Sequence, residues 1–208
     1  DMNALNETVV SQLEDKFDTA SADPDIKTIF ITGSGKAFVA GADIKFFTDN
    51  IKSNSIDKIV EFTEYCQSVY NKIDISSKNV VAVLNGLTLG GGLELALCAD
   101  IILSLPNAVL AYPETGIGIY PGLGGTQRTQ KKIGKELTKY LIFTGDMLNA
   151  VDAQKIDLVD KVISIGDMFA LFEGSSTLPE TSAELVYDDK YLSIKDFFAH
   201  YVFGTSDY

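Results

Sequence analysis

The chain has 208 residues, 46% of them hydrophobic, which is enough apolar material for one domain with a full core. Its formal net charge is -12 and its pI about 4.4, so its surface repels phosphate backbones and anionic bilayers, and neither nucleic acid nor a membrane is an expected partner. The two cysteines, Cys66 and Cys98, lie apart in apolar helical patterns with no Cys or His nearby. That argues against a disulfide framework or a zinc site and for reduced thiols in a cytoplasmic protein.

In chain order, Leu5, Val9, Leu13 and Phe17 recur every fourth residue and predict one apolar face of an opening helix. Residues 27–32 (KTIFIT) predict a strand that ends at a glycine pair. A loop is expected over 37–47 (AFVAGADIKFF), then a long helix over 56–73 with Ile59, Phe62, Cys66 and Val69 on one side. The run 79–84 (NVVAVL), apolar after Asn79, suits a strand covered on both faces. Further along, a helix is predicted over 89–98, strands over 101–105 and 109–112, and helices over 122–133 and 135–143. Asn149 opens another helix with Asp152 in its first turn, and 158–163 is a last strand. Alternating strands and helices predict an α/β domain with mainly parallel pairing.

Residues 1–165 form the expected core, and 166–208 a C-terminal tail, partly helical. Within the tail, 173–184 is polar and loop-like, and the aromatic-rich 191–203 is compatible with a helix. No apolar stretch is long enough to span a bilayer. The chain opens on a helix, whereas α/β domains usually open on a strand, so an upstream segment is expected.

Three segments carry the chemistry. In NGLTLGGGLELALCAD (85–100), Gly90, Gly91 and Gly92 sit at the mouth of a helix. There the first N–H groups stay free to meet negative charge developing on an oxygen. Glu94 follows in the first turn; tight packing with a capping acid explains this segment equally well. In YPETGIGIYPGLGGTQR (112–128), Glu114 lies in a loop whose apolar Ile117, Ile119 and Tyr120 suggest that it folds inward, although acids just after strands are usually solvated. In KAFVAGADIK (36–45), Ala40, Gly41 and Ala42 permit close backbone approach, and Lys36, Lys45, Arg128, Lys131 and Lys132 are the cations available to an anionic ligand. Gly35-Lys36 does not complete a P-loop, no nucleophile elbow is present, and the single histidine, His200, sits in the aromatic tail outside any catalytic pattern.

Taken together, FITGSGKAFVAGADIK, NGLTLGGGLELALCADI, PETGIGIYPGLGGTQR and the later FTGDMLNAVDAQKIDLVDKVI resemble the crotonase family, the enoyl-CoA hydratase/isomerase superfamily, from about residue 3 to 163. The likeness is greatest to the crotonase domain of archaeal fusions with 3-hydroxyacyl-CoA dehydrogenase. The resemblance implies a spiral of β-β-α turns, helical toward its C-terminal part and truncated here, assembled as trimers or hexamers. It implies hydration of a 2-enoyl-CoA in fatty-acid or short-chain acyl-CoA metabolism. Glu94 and Glu114 would hold the attacking water, and the backbone N–H groups of Ala42 and Gly91 would form the oxyanion hole. Gly90 and Gly122 would line the substrate site, with Lys36, Ala40, Asp43 and Ile44 along the CoA. Coenzyme A is then part of the substrate, and neither a metal nor a separate cofactor is expected. A fused dehydrogenase is a further expected partner. The alternatives are a Δ3,Δ2-enoyl-CoA isomerase, which shuttles one proton, and a non-catalytic acyl-CoA-binding module. The chain departs from the family's pattern in lacking its opening strand, in its short tail, and in Tyr112, where many hydratases carry a polar amide.

Overall fold

The computed structural model describes residues 2–174; the 191–203 segment and His200 lie outside the described residues. The elements run α1 (Glu7–Ala22), β1 (Thr28–Thr32), β2 (Ala37–Ala40), α2 (Ile44–Lys52), α3 (Ile56–Asp74), β3 (Asn79–Leu84), β4 (Leu87–Leu89) and α4 (Gly91–Ala96). Then follow β5 (Ile101–Ser104), β6 (Val109–Ala111), a 3-10 turn (Pro113–Ile117), α5 (Gly125–Ile133), α6 (Lys135–Thr144), β7 (Leu148–Asn149), α7 (Ala150–Lys155), β8 (Lys161–Val162) and α8 (Ile165–Phe172).

Two four-stranded sheets result, ordered β1-β3-β5-β8 and β2-β4-β6-β7. Each pair of consecutive strands, β1/β2, β3/β4 and β5/β6, sends one strand to each sheet before helices return the chain to the next level. This is the expected spiral of β-β-α turns. Every pairing is parallel except β6 with β7. Parallel neighbours need a crossover, and the helices supply it.

The core follows from strands covered on both faces. Along β3, Val80, Ala82 and Leu84 point into the main core with Phe38, Phe62, Val69 and Tyr70. Val81 and Val83 point the other way, to a second cluster with Leu103, Leu105, Ile163, Met168 and Leu171. Met168 and Leu171 belong to α8, which a capping box between Ser164 and Asp167 starts. Among the described residues, no helix is long and apolar enough to cross a membrane.

The structure departs from the sequence-based expectation in several places. Residues 37–47 are not a loop: Ala37, Phe38 and Val39 are buried in β2, and Asp43 caps α2 through a hydrogen bond from the Lys45 N–H. Leu5 precedes α1, whose cap is Asn6, and pairs instead with Ala42 in an isolated parallel bridge. The helices predicted from residues 89 and 122 begin at Gly91 and Gly125, because Gly90 and Gly124 take positive φ angles (50° and 101°) that end the preceding loops. The short strands β4 and β7 carry no pattern of their own in the sequence, and α8 lies at the start of the tail expected to be partly helical.

Candidate active site

Open parallel sheets hold ligands beyond the carboxyl ends of their strands, where loops diverge and helix N-termini gather. The neighbours β2, β4 and β6 supply such a rim. Ala40 pairs with Leu89, and Leu89 with Ala111. Ala42 and Gly91 therefore stand two residues past paired positions on adjacent strands. Leu5 ties them together: it bridges Ala42, and a Cβ built on Gly91 would meet its Cδ1 at 2.6 Å. In the bridge, the Leu5 N–H donates to Gly41 O and the Asp43 N–H to Leu5 O, each at 2.9 Å. The Ala42 N–H is left without an acceptor among the described residues. The Gly91 N–H also has none, since Gly91 opens α4 and the neighbouring Gly90 N–H donates to Ala111 O. Two such donors on one rim suit an oxygen on which charge develops.

Glu94 lies on the first turn of α4, its side chain buried at 1% exposure. Its Oε1 accepts the N–H groups of Leu123 and Gly125, both at 2.7 Å. Burial nevertheless pushes its carboxyl up to about 7; these two hydrogen bonds and Arg128 oppose the rise, while the charge of Glu114 adds to it. Because Oε1 is occupied by two donors, a proton on Glu94 resides on Oε2, which faces Gly91.

Glu114 sits in the 3-10 turn after β6, also buried, and burial lifts it to about 7 as well. Its Oε2 has no hydrogen-bond partner among the described residues, an expensive condition for a buried carboxylate oxygen unless a ligand or water meets it. Its Oε1 packs against Gly90, where a Cβ would come within 2.7 Å. Glycine at position 90 therefore answers both a positive φ and the approach of this acid. Tyr112 is fully buried between the two loops, and its hydroxyl shares a hydrogen bond of 2.7 Å with Thr129.

The structure thus gathers Ala42, Gly90, Gly91, Glu94 and Glu114 on one rim. Gly122 joins them through its loop, held by Gln67 Nε2 at 2.7 Å from its carbonyl. Lys36, Ala40, Asp43 and Ile44 run along the edge strand β2 from its preceding turn to the start of α2, with Lys36 and Ile44 exposed. Arg128 is engaged with Asp74 and Lys132 with Asp160, whereas Lys36, Lys45 and Lys131 are exposed. No sequence pattern signals the Leu5 bridge, the two amides that hold Glu94, or Tyr70, whose hydroxyl donates to Gly91 O at 2.7 Å. The glycines flanking Leu123 were the one available hint of the amides.

Two acids poised near neutrality beside two unpaired N–H donors can exchange protons with a substrate whose carbonyl oxygen gains charge. Comparison with known proteins agrees. A family model described as enoyl-CoA hydratase/isomerase matches residues 1–170. The chain is 42% identical over 163 residues to a crotonyl-CoA hydratase of Syntrophomonas wolfei, covering 78% of this chain and 61% of that protein. It is 36% identical over 168 residues to a short-chain-enoyl-CoA hydratase of Clostridium acetobutylicum, covering 80% and 63%. It therefore spans less than two thirds of the length of these curated relatives. The crystal structure of an enoyl-CoA hydratase from Thermoplasma volcanium superposes with a TM-score of 0.76 at 36% identity, covering 86% of this chain and 70% of that one. On the extent of the family match, and with a fold and a rim of paired acids to go with it, the chain belongs to the enoyl-CoA hydratase/isomerase family.

Proposed function

We propose that this protein is an enoyl-CoA hydratase, adding water to a trans-2-enoyl-CoA to give a 3-hydroxyacyl-CoA. The observation that carries the reading is the pair of buried carboxylates, Glu94 and Glu114, both lifted to about 7 at the carboxyl ends of adjacent strands. Water is a weak nucleophile, so one ionised carboxylate takes a proton from it as its oxygen bonds to C3. The other, protonated, delivers a proton to C2. The electron pair of the double bond passes through the thioester oxygen, where the N–H groups of Ala42 and Gly91 stabilise it. With both carboxyls lifted by burial, the pair can carry the single proton the reaction requires near neutral pH. Lys36, Ala40, Asp43 and Ile44 would run along the CoA, with Gly90 and Gly122 beside the acyl group. The reaction calls for no metal or further cofactor.

The names of the relatives, a crotonyl-CoA hydratase and a short-chain-enoyl-CoA hydratase, support crotonyl-CoA as the test substrate. Loss of enoyl-thioester absorbance on adding the intact protein, with 3-hydroxybutyryl-CoA formed, is the expected result. Conversion of a 3-enoyl-CoA to the 2-enoyl-CoA with no hydration would instead identify an isomerase. The proposal extends to a trimeric or hexameric assembly, for which the exposed Ile117, Ile119, Tyr120, Phe143 and Met147 supply apolar surface. Sedimentation of the intact protein tests it. A fused 3-hydroxyacyl-CoA dehydrogenase belongs to the same proposal, on the ground that the hydration product is that enzyme's substrate. NAD reduction by the full gene product on crotonyl-CoA alone would reveal it. Buried, unpaired Cys66 and Cys98 support a cytoplasmic setting.

A further inference from the structure

Helix α3 faces the 122–125 loop that holds Glu94, and it reaches that loop at two points. Gln67 Nε2 donates to Gly122 O at 2.7 Å. Asn71 and Asp74 act through Arg128: its Nη2 donates to Asn71 Oδ1 at 2.8 Å and its Nε to Asp74 Oδ2 at 3.2 Å. The remaining arm, Nη1, donates to Leu123 O at 2.9 Å. The Arg128 side chain is only 11% exposed. Its guanidinium lies against Gly124, whose φ of 101° favours glycine; a Cβ there would come 2.2 Å from Nη1, so the guanidinium would have to shift. Leu123 is therefore held at both ends of its backbone, its carbonyl by Arg128 and its N–H by Glu94 Oε1.

We propose that Arg128 is a positioning residue that acts through Glu94. Anchored on α3, it fixes the loop so that the N–H groups of Leu123 and Gly125 converge on Oε1, leaving Oε2 as the oxygen that exchanges protons. A plain anchor between α3 and α5 would need only the contacts to Asn71 and Asp74. The third arm, spent on the residue that binds the carboxylate, is what the anchor alone does not explain. The role in turnover rests on the hydratase reading; the geometric role does not.

The test uses the intact protein. Arg128→Met should lower kcat on crotonyl-CoA by on the order of tenfold to a hundredfold, because a misplaced acid loses its alignment. KM should stay within about twofold, since uniform binding is untouched. Arg128→Lys should not restore the rate, because one ammonium cannot span three acceptors. In a Glu94→Gln background, Arg128→Met should change the residual rate by less than about twofold, the signature of two residues acting as a unit. Asn71→Ala, at an exposed position on α3, loosens one arm and keeps the test readable if Arg128→Met fails to fold; it should lower kcat severalfold without moving KM.

An independent readout is the titration of the Glu94 carboxyl carbon in protein with labelled glutamate. Freed donors and a lost cation should raise its midpoint. The other groups that face Glu94, namely Glu114, Cys66, Tyr70, Cys98 and Tyr112, are the same in both proteins. An equal proportional loss of rate in the Glu94→Gln background, with an unmoved titration, would reduce Arg128 to a fold anchor. A wild-type protein that hydrates no enoyl-CoA would sink the hydratase reading, while the titration would still decide the clamp.

Discussion

Gly125→Ala separates helix stability from catalysis at a single methyl group. Gly125 is the first residue of α5, and its φ is not positive, so alanine meets no backbone penalty. By intrinsic helix propensity, the change favours folding by up to about 1 kcal/mol. The new Cβ, however, would lie 2.8 Å from Glu94 Cγ, 2.9 Å from Glu94 Oε1 and 2.9 Å from the Tyr112 hydroxyl. Neither neighbour yields easily. Tyr112 is fully buried and hydrogen-bonded to Thr129, and Glu94 is held by two N–H groups. Overpacking of this kind costs about 1–3 kcal/mol, which leaves a net destabilisation of roughly 0–2 kcal/mol after the helix gain. The carboxylate must move away from its donors, and displacement of a reacting group by about 1 Å lowers a rate by on the order of a hundredfold, about 2.7 kcal/mol in the barrier. Thermal melts and kcat on crotonyl-CoA would be measured together. The expected result is a folded variant with kcat down about two orders of magnitude. A folded variant with wild-type kcat would refute the claim that the Glu94 position depends on this contact.

Glu94→Gln and Glu114→Gln should each lower hydration by on the order of 10²–10⁴ while leaving CoA binding, followed by calorimetry, nearly unchanged. The same variants should be more stable than wild type at pH 8. A carboxyl raised from 4.5 to about 7 stays protonated in the folded state while the unfolded chain ionises, so stability falls between about pH 4.5 and 7 and the deficit persists above. The gain should be on the order of 3 kcal/mol per site at most, and it should vanish in melts near pH 4. Gly91→Pro removes one unpaired N–H and should lower kcat by on the order of 10²–10³, provided circular dichroism shows a folded protein.

Long, strongly patterned elements were legible in the sequence: α3 by its spacing of Phe62, Cys66 and Val69, and β3 by its unbroken apolar run. Elements whose identity depends on partners were not. In β2, the four residues AFVA carry no alternation because the strand is buried on both sides, and β4 is too short to show a period at all. Leu5 fits the helical repeat perfectly well, yet its pairing with Ala42 comes from residues far along the chain, to which local periodicity is blind. Glu94 and Glu114 follow the same logic. Each acid alone reads as a cap or a solvated loop residue. Their common purpose depends on the β4–β6 pairing, which only the family resemblance could anticipate.

Isotopic labelling distinguishes addition of water by Glu94 and Glu114 from binding alone. Crotonyl-CoA would be turned over by the intact protein in water labelled with heavy oxygen, and separately in deuterium oxide, and the product analysed by mass spectrometry. The expected product is 3-hydroxybutyryl-CoA with one heavy oxygen at C3 and one non-exchangeable deuterium at C2, both lost in the Glu94→Gln/Glu114→Gln double variant. Binding of crotonyl-CoA without label at C3, or equal labelling by the double variant, would contradict addition of water by the pair.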